Sequence, residues 1–364
     1  MSRPALALMS GARLRHNLGV ARDVACGANI YGVIKADAYG HGLEAVAQRL
    51  VDAGVDGLAV ATLEEALAVR RAHPHVVVLL LEGVVDAAEA VSARASNLDL
   101  VVHCSEQIGL LPDDGVCAGR VWLKHDTGMH RLGLDAEACA KAWQQLTVAL
   151  PCADIGLLTH FASADEADEA FASEQQQRFA ALCGQLGAGT VSNSNSAALL
   201  RGYGAGTQWV RPGLMLYGLS PFSRHDEDAP NAAGTLRPVM QLVSAVISVV
   251  SVNAGETVGY GRAWRAERDS RIAVVALGYG DGYPRHAPSG TPVLINGTMA
   301  PLAGRVSMDM LSVDVTELAP VKRGDPVLLW GDGLSVEEVA GWCGTIAYEL
   351  VCKVSARVPR QWVD

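Results

Sequence analysis

A single lysine closes an apolar run in Tyr31-Gly32-Val33-Ile34-Lys35-Ala36-Asp37-Ala38-Tyr39-Gly40-His41-Gly42. An ammonium at the end of a buried strand loses part of its hydration, which lowers its pKa and frees the amine to attack a carbonyl. Such an amine captures an aldehyde cofactor, pyridoxal phosphate being the type case, as an imine. The plain alternative is a solvated lysine at a strand end, so Lys35 needs partners before it counts as catalytic. Candidate partners recur downstream. Lys124, His160, Asn195 with Ser196, and Arg211 each stand at or just after the end of an apolar, β-rich run. His103 occupies a similar position and reads as an ordinary loop residue with no role.

Those ends must be carried by something. Apolar β-rich runs fall at 29–34, 57–61, 76–82, 98–103, 119–124, 154–159, 189–192 and 208–211, with helical patterns between them. Leu43, Val46, Ala47, Leu50 and Val51 recur at helical steps and share a face. Thr62-x-x-Glu65 is a capping box ahead of Leu67 and Val69. Eight strand–helix units in about 220 residues predict a closed (β/α)8 barrel, whose sites are built at the C-terminal ends of the strands. A doubly wound open sheet is the alternative, but no GxGxxG follows the first strand. The segment 222–236 is polar and rich in turn formers and reads as a linker. Beyond it, 239–252, 271–277, 291–294, 310–315 and 326–330 are short β-rich runs, with no long helix before about 336–343, so the second domain is mostly β. The expected division is 1–225 and 226–364, with the first ten or so residues able to join the β domain.

Composition narrows the class. The chain has 364 residues, half of them apolar, and a formal charge of −10. The negative balance argues against nucleic acid as the main partner. No stretch is long and apolar enough for a membrane span, and the N-terminus lacks a secretory pattern. Eight cysteines are scattered without CxxC or Cys/His metal spacing, which predicts reduced, mostly buried thiols in a cytoplasmic protein and no metal site.

At this level of detail the chain resembles the alanine racemases. The likeness runs over nearly the whole length. It rests on Val33–Gly42, Lys124-His125-Asp126-Thr127-Gly128-Met129-His130-Arg131-Leu132-Gly133, Thr159-His160-Phe161-Ala162, Asn195-Ser196 and Val210-Arg211-Pro212-Gly213. The second domain adds Gly255–Gly261, Gly278–Arg285, Gly304–Asp309, Tyr348-Glu349 and Arg357-Val358-Pro359-Arg360. The resemblance implies an α/β barrel enzyme with a C-terminal β domain. It implies a pyridoxal phosphate cofactor, alanine as substrate, and a homodimer whose active sites are shared between subunits.

It also implies roles. Lys35 holds the cofactor and moves the α-proton on one face, and Tyr260 of the partner chain does so on the other. Two acid–base groups on opposite faces suit racemisation. Read by itself, Tyr260 is a turn aromatic between glycines, and a base only if a cation such as Arg285 lowers its pKa. Arg211 faces the pyridine nitrogen, with His160 behind it. Arginine donates and cannot accept a hydrogen bond, so the ring nitrogen stays unprotonated. Tyr39, Ser196, Gly213, Leu214 and Tyr348 hold the phosphate, with Asn195 adjoining. Arg131 reaches the cofactor's phenolic oxygen and the substrate carboxylate, which the Met308 backbone N–H also binds. Lys124, Tyr279 and Asp309 support these groups. In many relatives the lysine at 124 is carbamylated. Unmodified, it clashes with Arg131 unless an acid such as Asp126 intervenes. Ser307, Ala347 and His130 stand where relatives often carry Cys, Asn and Gly.

Rival readings make different demands. A barrel-type amino-acid decarboxylase needs a glycine-rich phosphate loop and a Cys-Asp pair that are absent here. A racemase of broader or serine-preferring range shares every motif. A non-catalytic pyridoxal phosphate carrier lacks a β domain, and a barrel that only binds a phosphorylated metabolite needs no Lys35.

Overall fold

Eight short parallel strands close into a barrel, each within one of the expected runs: Asn29–Val33, Gly57–Val60, Val77–Leu80, Asp99–Val102, Val121–Lys124, Ile155–Leu158, Val191–Ser192 and Trp209–Val210. Sequence neighbours pair in order, and Asn29 and Ile30 close the ring against Trp209 and Val210. The computed structural model describes residues 3–111, 119–151, 154–223, 226 and 228–363. Two units emerge. One comprises Leu14–Ala38 and Gly42–Leu236; the other comprises Met1–Arg13, Tyr39–His41 and Arg237–Asp364.

The barrel strands are almost wholly buried because helices cover their outer side and side chains fill the inside. The helix Leu43–Asp52 turns Val46, Ala47 and Leu50 inward. Thr62 caps the helix Leu63–Ala72 through the expected capping box. Inside the barrel, Tyr31 stacks on Trp209 with ring centroids 4.0 Å apart and meets Trp122 edge-on at 6.1 Å. The Tyr31 hydroxyl donates to Asp99, whose other carboxylate oxygen accepts from the Arg120 N–H at 2.8 Å. Trp122 Nε1 donates to the same hydroxyl oxygen at 3.2 Å. Burial raises the pKa of both Tyr31 and Asp99. Large rings leave no room beside them. A Cβ on Gly57 would lie 2.8 Å from Tyr31, and one on Gly156 would lie 2.6 Å from Trp122.

In the second unit the 13-residue strand Met240–Val252 pairs antiparallel with three others. Its first half alternates buried and half-exposed residues, the period-2 pattern of a sheet with one covered face. Its second half pairs with Ser270–Val275, and the register shifts between Val246 and Ser248. The strand Leu6–Ser10 lies between Met240–Val252 and the parallel strand Arg360–Val363, so both chain ends enter one sheet. The mostly β character is as expected. The helix Val336–Trp342 sits where the first β-domain helix was read.

Three readings need correction. The start of 222–236 is not a bare linker. Phe222 is buried under the Arg201 guanidinium at 4.8 Å, and Arg201 pairs with buried Asp226 at 2.8 Å. Local composition cannot reveal a barrel arginine that anchors the segment. Second, the thiols are not mostly buried: of six described cysteines, none in a disulfide, only Cys139 and Cys343 are buried. Cys117, Cys152 and the expected boundary residue 225 lie outside the described residues. Third, the helix Ala347–Lys353, which carries Tyr348, was not read from the sequence.

Candidate active site

The barrel collects its cations on one rim. Lys35 follows the first strand and is half-buried. Lys124 ends the fifth strand and is 8% exposed. Exposed Arg131 lies on the following loop, half-buried His160 follows the sixth strand, and buried Arg211 follows the eighth. Burial and these neighbouring cations act together on Lys124 and His160. Lys124 falls from 10.5 to about 8, first through burial and then through Arg211, Arg131 and Lys35, with Asp126 opposing weakly. Asp126 is engaged elsewhere, accepting from the backbone N–H groups of Gly128 and His130 at 2.9 and 3.1 Å. His160 is held well below the usual imidazole range by burial and then by Arg211, Lys124, Arg131 and Lys35, so it is neutral at pH 7. Burial lowers Arg211 to about 10, which leaves it charged.

Arg211 is held by neutral acceptors. It donates to the Ser192 hydroxyl, to the Thr159 carbonyl at 2.6 Å and to the Asn193 carbonyl at 3.4 Å. Charge-assisted bonds of this kind fix the plane of the guanidinium. A buried glutamine, Gln175, braces the adjoining loops. It donates to Thr127 Oγ1 at 3.0 Å and to the His160 carbonyl at 3.3 Å, and accepts from the Ala162 N–H at 2.9 Å. Ser192, Thr159, Thr127 and Gln175 were not singled out from the sequence. Only the polar run Ser192-Asn193-Ser194 at a strand end hinted at them.

The groups expected around a phosphate form two sets. In the barrel unit, Ser196 Oγ accepts from the N–H groups of Gly213 at 3.0 Å and Met215 at 3.3 Å. Two backbone donors thus converge on one oxygen, as they would on an anion. Asn195 caps the helix Ser196–Leu200 through its side chain, and buried Leu214 opens the 3-10 turn Leu214–Tyr217. In the other unit, Tyr39 and Tyr348 lie with ring centroids 6.0 Å apart. Gly40 makes that approach feasible: its φ is +75°, and a Cβ there would meet the Val351 carbonyl oxygen at 2.1 Å.

Between Lys35 and Gly40 the chain does something the periodicity did not suggest. Ala36, Asp37, Ala38 and Tyr39 all take φ between +53° and +55°, one turn of left-handed helix. This conformation costs about 1–2 kcal/mol per L-residue, so it does not persist without outside support.

The remaining predicted residues lie in the β unit and are exposed. Tyr260 is 69% exposed in a turn where Gly259 and Gly261 have φ near +72° and +71°. A guanidinium placed against this turn is that of Arg305, 3.0 Å from where a Gly261 Cβ would stand; the sequence offers Arg285 as one possible cation. Met308 and Tyr279 are neighbours, with the N–H of Gly280 donating to the Met308 carbonyl at 2.8 Å. Asp309 pairs with Arg357 at 2.5 Å, which lowers its pKa, and Arg3 donates to the Asp309 carbonyl and forms a two-pronged pair with buried Asp281. His130 adopts φ +54°, the conformation suited to the glycine it replaces, and its ring lies 3.1 Å from Asp126.

A parallel barrel with a crowded cationic rim, an amine among the cations, and a separate β unit exposing a phenol define a class: a two-domain barrel enzyme built to hold an anionic ligand beside a lysine. The comparison with known proteins narrows it. The models of the alanine racemase N-terminal and C-terminal domains match residues 9–221 and 239–362. The biosynthetic alanine racemase of Pseudomonas aeruginosa is 46% identical over 99% of both chains, and an alanine racemase of Chromohalobacter salexigens is 48% identical over 100% of this chain and 98% of its own. Among solved structures, the P. aeruginosa biosynthetic enzyme superposes with a TM-score of 0.93 at 45% identity, covering 100% of both chains. An alanine racemase from Bacillus anthracis with bound L-Ala-P superposes at 0.85 and 31% identity, covering 100% of this chain and 96% of that one. The chain belongs to the alanine racemase family.

Proposed function

We propose that this chain interconverts L- and D-alanine as a pyridoxal phosphate enzyme, with Lys35 and Tyr260 as its two acid–base groups. The observation that carries the reading is the rim itself: four cations and a neutral histidine gathered at the barrel's strand ends. When bound, pyridoxal phosphate withdraws electrons from the amino acid's Cα and acidifies the proton there.

The donor set fits that group. Lys35 would hold its carbonyl carbon. Ser196, Gly213 and Leu214, with Tyr39, Tyr348 and Asn195, would hold its phosphate. The convergence of two N–H groups on Ser196 Oγ supports this. Arg211 offers N–H groups and no acceptor, so it would keep the cofactor's ring nitrogen unprotonated and a weaker electron sink. His160, kept neutral, does not add a further charge beside it. Arg131 suits the substrate carboxylate in a bidentate mode.

The chain's own residues then carry the proton. The Lys35 amine takes it from one face of Cα, and the Tyr260 phenol delivers one to the other face; the reverse direction exchanges the roles. The phenol comes from a second copy of the chain, with the Met308 backbone N–H and Asp309 beside it. The exposure of Tyr260, Met308 and Tyr279, at 69%, 52% and 37%, supports a homodimer in which this surface is covered. Lys124 lies close enough to neutrality at pH 8 to add CO2 as a carbamate, releasing a proton and becoming an anion that orients Arg131. Free thiols and the lack of any described helix able to cross a membrane support a cytoplasmic enzyme.

The test is incubation of the purified protein with pyridoxal phosphate and a panel of L-amino acids in D2O. The expected result is α-deuterated L- and D-alanine, with serine and larger amino acids turned over more slowly. Deuterium uptake without inversion, or borohydride reduction that labels a lysine other than Lys35, would refute the reading.

A further inference from the structure

The left-handed turn after Lys35 is braced from a neighbouring loop. Glu65 Oε1 accepts from the N–H groups of Ala36 at 2.7 Å and Asp37 at 3.4 Å. Glu65 Oε2 accepts from Ala61 at 3.0 Å and Thr62 at 3.4 Å. One carboxylate therefore gathers four backbone donors, two from the turn that follows Lys35 and two from the loop that follows the second barrel strand. The far end of the turn is stapled separately: Asp37 Oδ1 accepts from the Leu43 N–H at 2.8 Å, and the Asp37 carbonyl accepts from the Gly42 N–H at 2.9 Å. Ala38 donates to the Ile34 carbonyl at 2.9 Å, across Lys35 itself.

A capping box explains only half of this. At the third helical position Glu65 has only to reach back to Thr62, and glutamine serves there equally well. Here the second oxygen leaves the helix and takes the two N–H groups at the start of a conformation that L-residues avoid. A glutamine amide would turn an NH2 toward one of the two donor pairs, where it cannot accept. We infer that Glu65 is a positioning residue for Lys35: its carboxylate holds the left-handed turn and so fixes the backbone from which the reactive amine projects. This rests on the reading of Lys35 as the imine-forming amine.

Three variants separate a positioning role from a merely structural one. Thr62→Ala removes the helix cap but leaves the carboxylate on Ala36 and Asp37. Glu65→Ala removes both functions, and Glu65→Gln keeps one accepting oxygen. In the cofactor-free proteins, backbone hydrogen exchange over residues 35–40 is measured by mass spectrometry. Glu65→Ala is expected to exchange there at least about tenfold faster than wild type, from the loss of charge-assisted bonds, and Thr62→Ala within about twofold. In the loaded enzymes Glu65→Ala is expected to lower kcat by roughly ten- to a hundredfold with KM within about threefold, Glu65→Gln to fall between, and Thr62→Ala to match wild type. Thermal midpoints identify how much of each change follows global stability. Equal exchange and equal kcat in Glu65→Ala and Thr62→Ala would overturn the positioning role while borohydride still labels Lys35. Labelling of a different lysine would overturn the reading beneath it and the inference together.

Discussion

Lys124 offers the sharpest quantitative test of the crowded rim. Its pKa falls from 10.5 to about 8 at a side chain only 8% exposed. At about 1.36 kcal/mol per pH unit, this makes the ammonium about 3 kcal/mol less favourable in the folded barrel than in the unfolded chain. The folded pKa lies below the unfolded one, so the penalty is complete below about pH 8 and absent above 10.5. Stability gained from relieving it therefore rises with pH across that window. Lys124→Met removes the charge and keeps the apolar stem. In CO2-free buffer at pH 7 the variant is expected to melt roughly 6–12 °C above wild type if the barrel unit unfolds by itself, about 3 kcal/mol spread over a domain of its size. The gap should narrow between pH 8 and 10.5 and then close. Adding bicarbonate at pH 8 should raise the wild-type midpoint, because a carbamate reverses the charge beside Arg131 and Arg211, and leave the variant unmoved. Calorimetry of the cofactor-free proteins over pH 7 to 11, with and without bicarbonate, provides the measurement. A difference that stays flat over this range, or a variant less stable than wild type at pH 7, would refute the argument that burial and the neighbouring cations destabilise the Lys124 ammonium.

Other consequences follow from the same geometry. If Lys35 and Tyr260 each serve one face, Tyr260→Phe should lower kcat/KM for racemisation equally in both directions, as an equilibrium constant of one requires, while α-deuterium exchange persists in the enantiomer whose proton Lys35 removes; equal loss of exchange in both enantiomers would count against two-base chemistry. If the proposed placement of the cofactor holds, Arg211→Glu would offer its ring nitrogen an acceptor in place of donors, so the ratio of pyruvate formed to alanine inverted should rise, as read by a coupled pyruvate assay. Gly156→Ala forces a methyl to 2.6 Å from Trp122 and should cost about 1–3 kcal/mol in the thermal melt, with KM unchanged. Gln175→Leu strands buried partners at Thr127, Ala162 and His160, and should destabilise by about 1–3 kcal/mol for each group left unsatisfied.

Much of this protein is legible from local pattern. All eight barrel strands lie inside runs visible as β-rich segments, because parallel strands buried on both faces must be apolar throughout. The Thr62 capping box is a short-range contact with a fixed spacing, and it formed as read. The rim residues were also visible, since a polar group ending an apolar run is exposed by the strand's own geometry. Less was visible where a side chain works on a distant segment. Nothing local marks Gln175 as a brace for two loops, Arg201 as the anchor of Phe222 and Asp226, or Arg3 as the partner of Asp281. The strand Leu6–Ser10 gains its meaning from partners more than 200 residues away.

The amino-acid order by itself determined the barrel, the mostly β second domain, the residue types at the strand ends and the family to which they belong. These depend on periodicity and motif, which act over a few residues. Only the tertiary structure decided how those groups are charged and held. Burial and neighbouring cations bring the Lys124 pKa down to about 8 and keep His160 uncharged. A carboxylate 29 positions downstream of Ala36 in the sequence supports a left-handed turn that no propensity would choose. Charge and strain depend on what surrounds a group in space, and that neighbourhood exists only once the chain has folded.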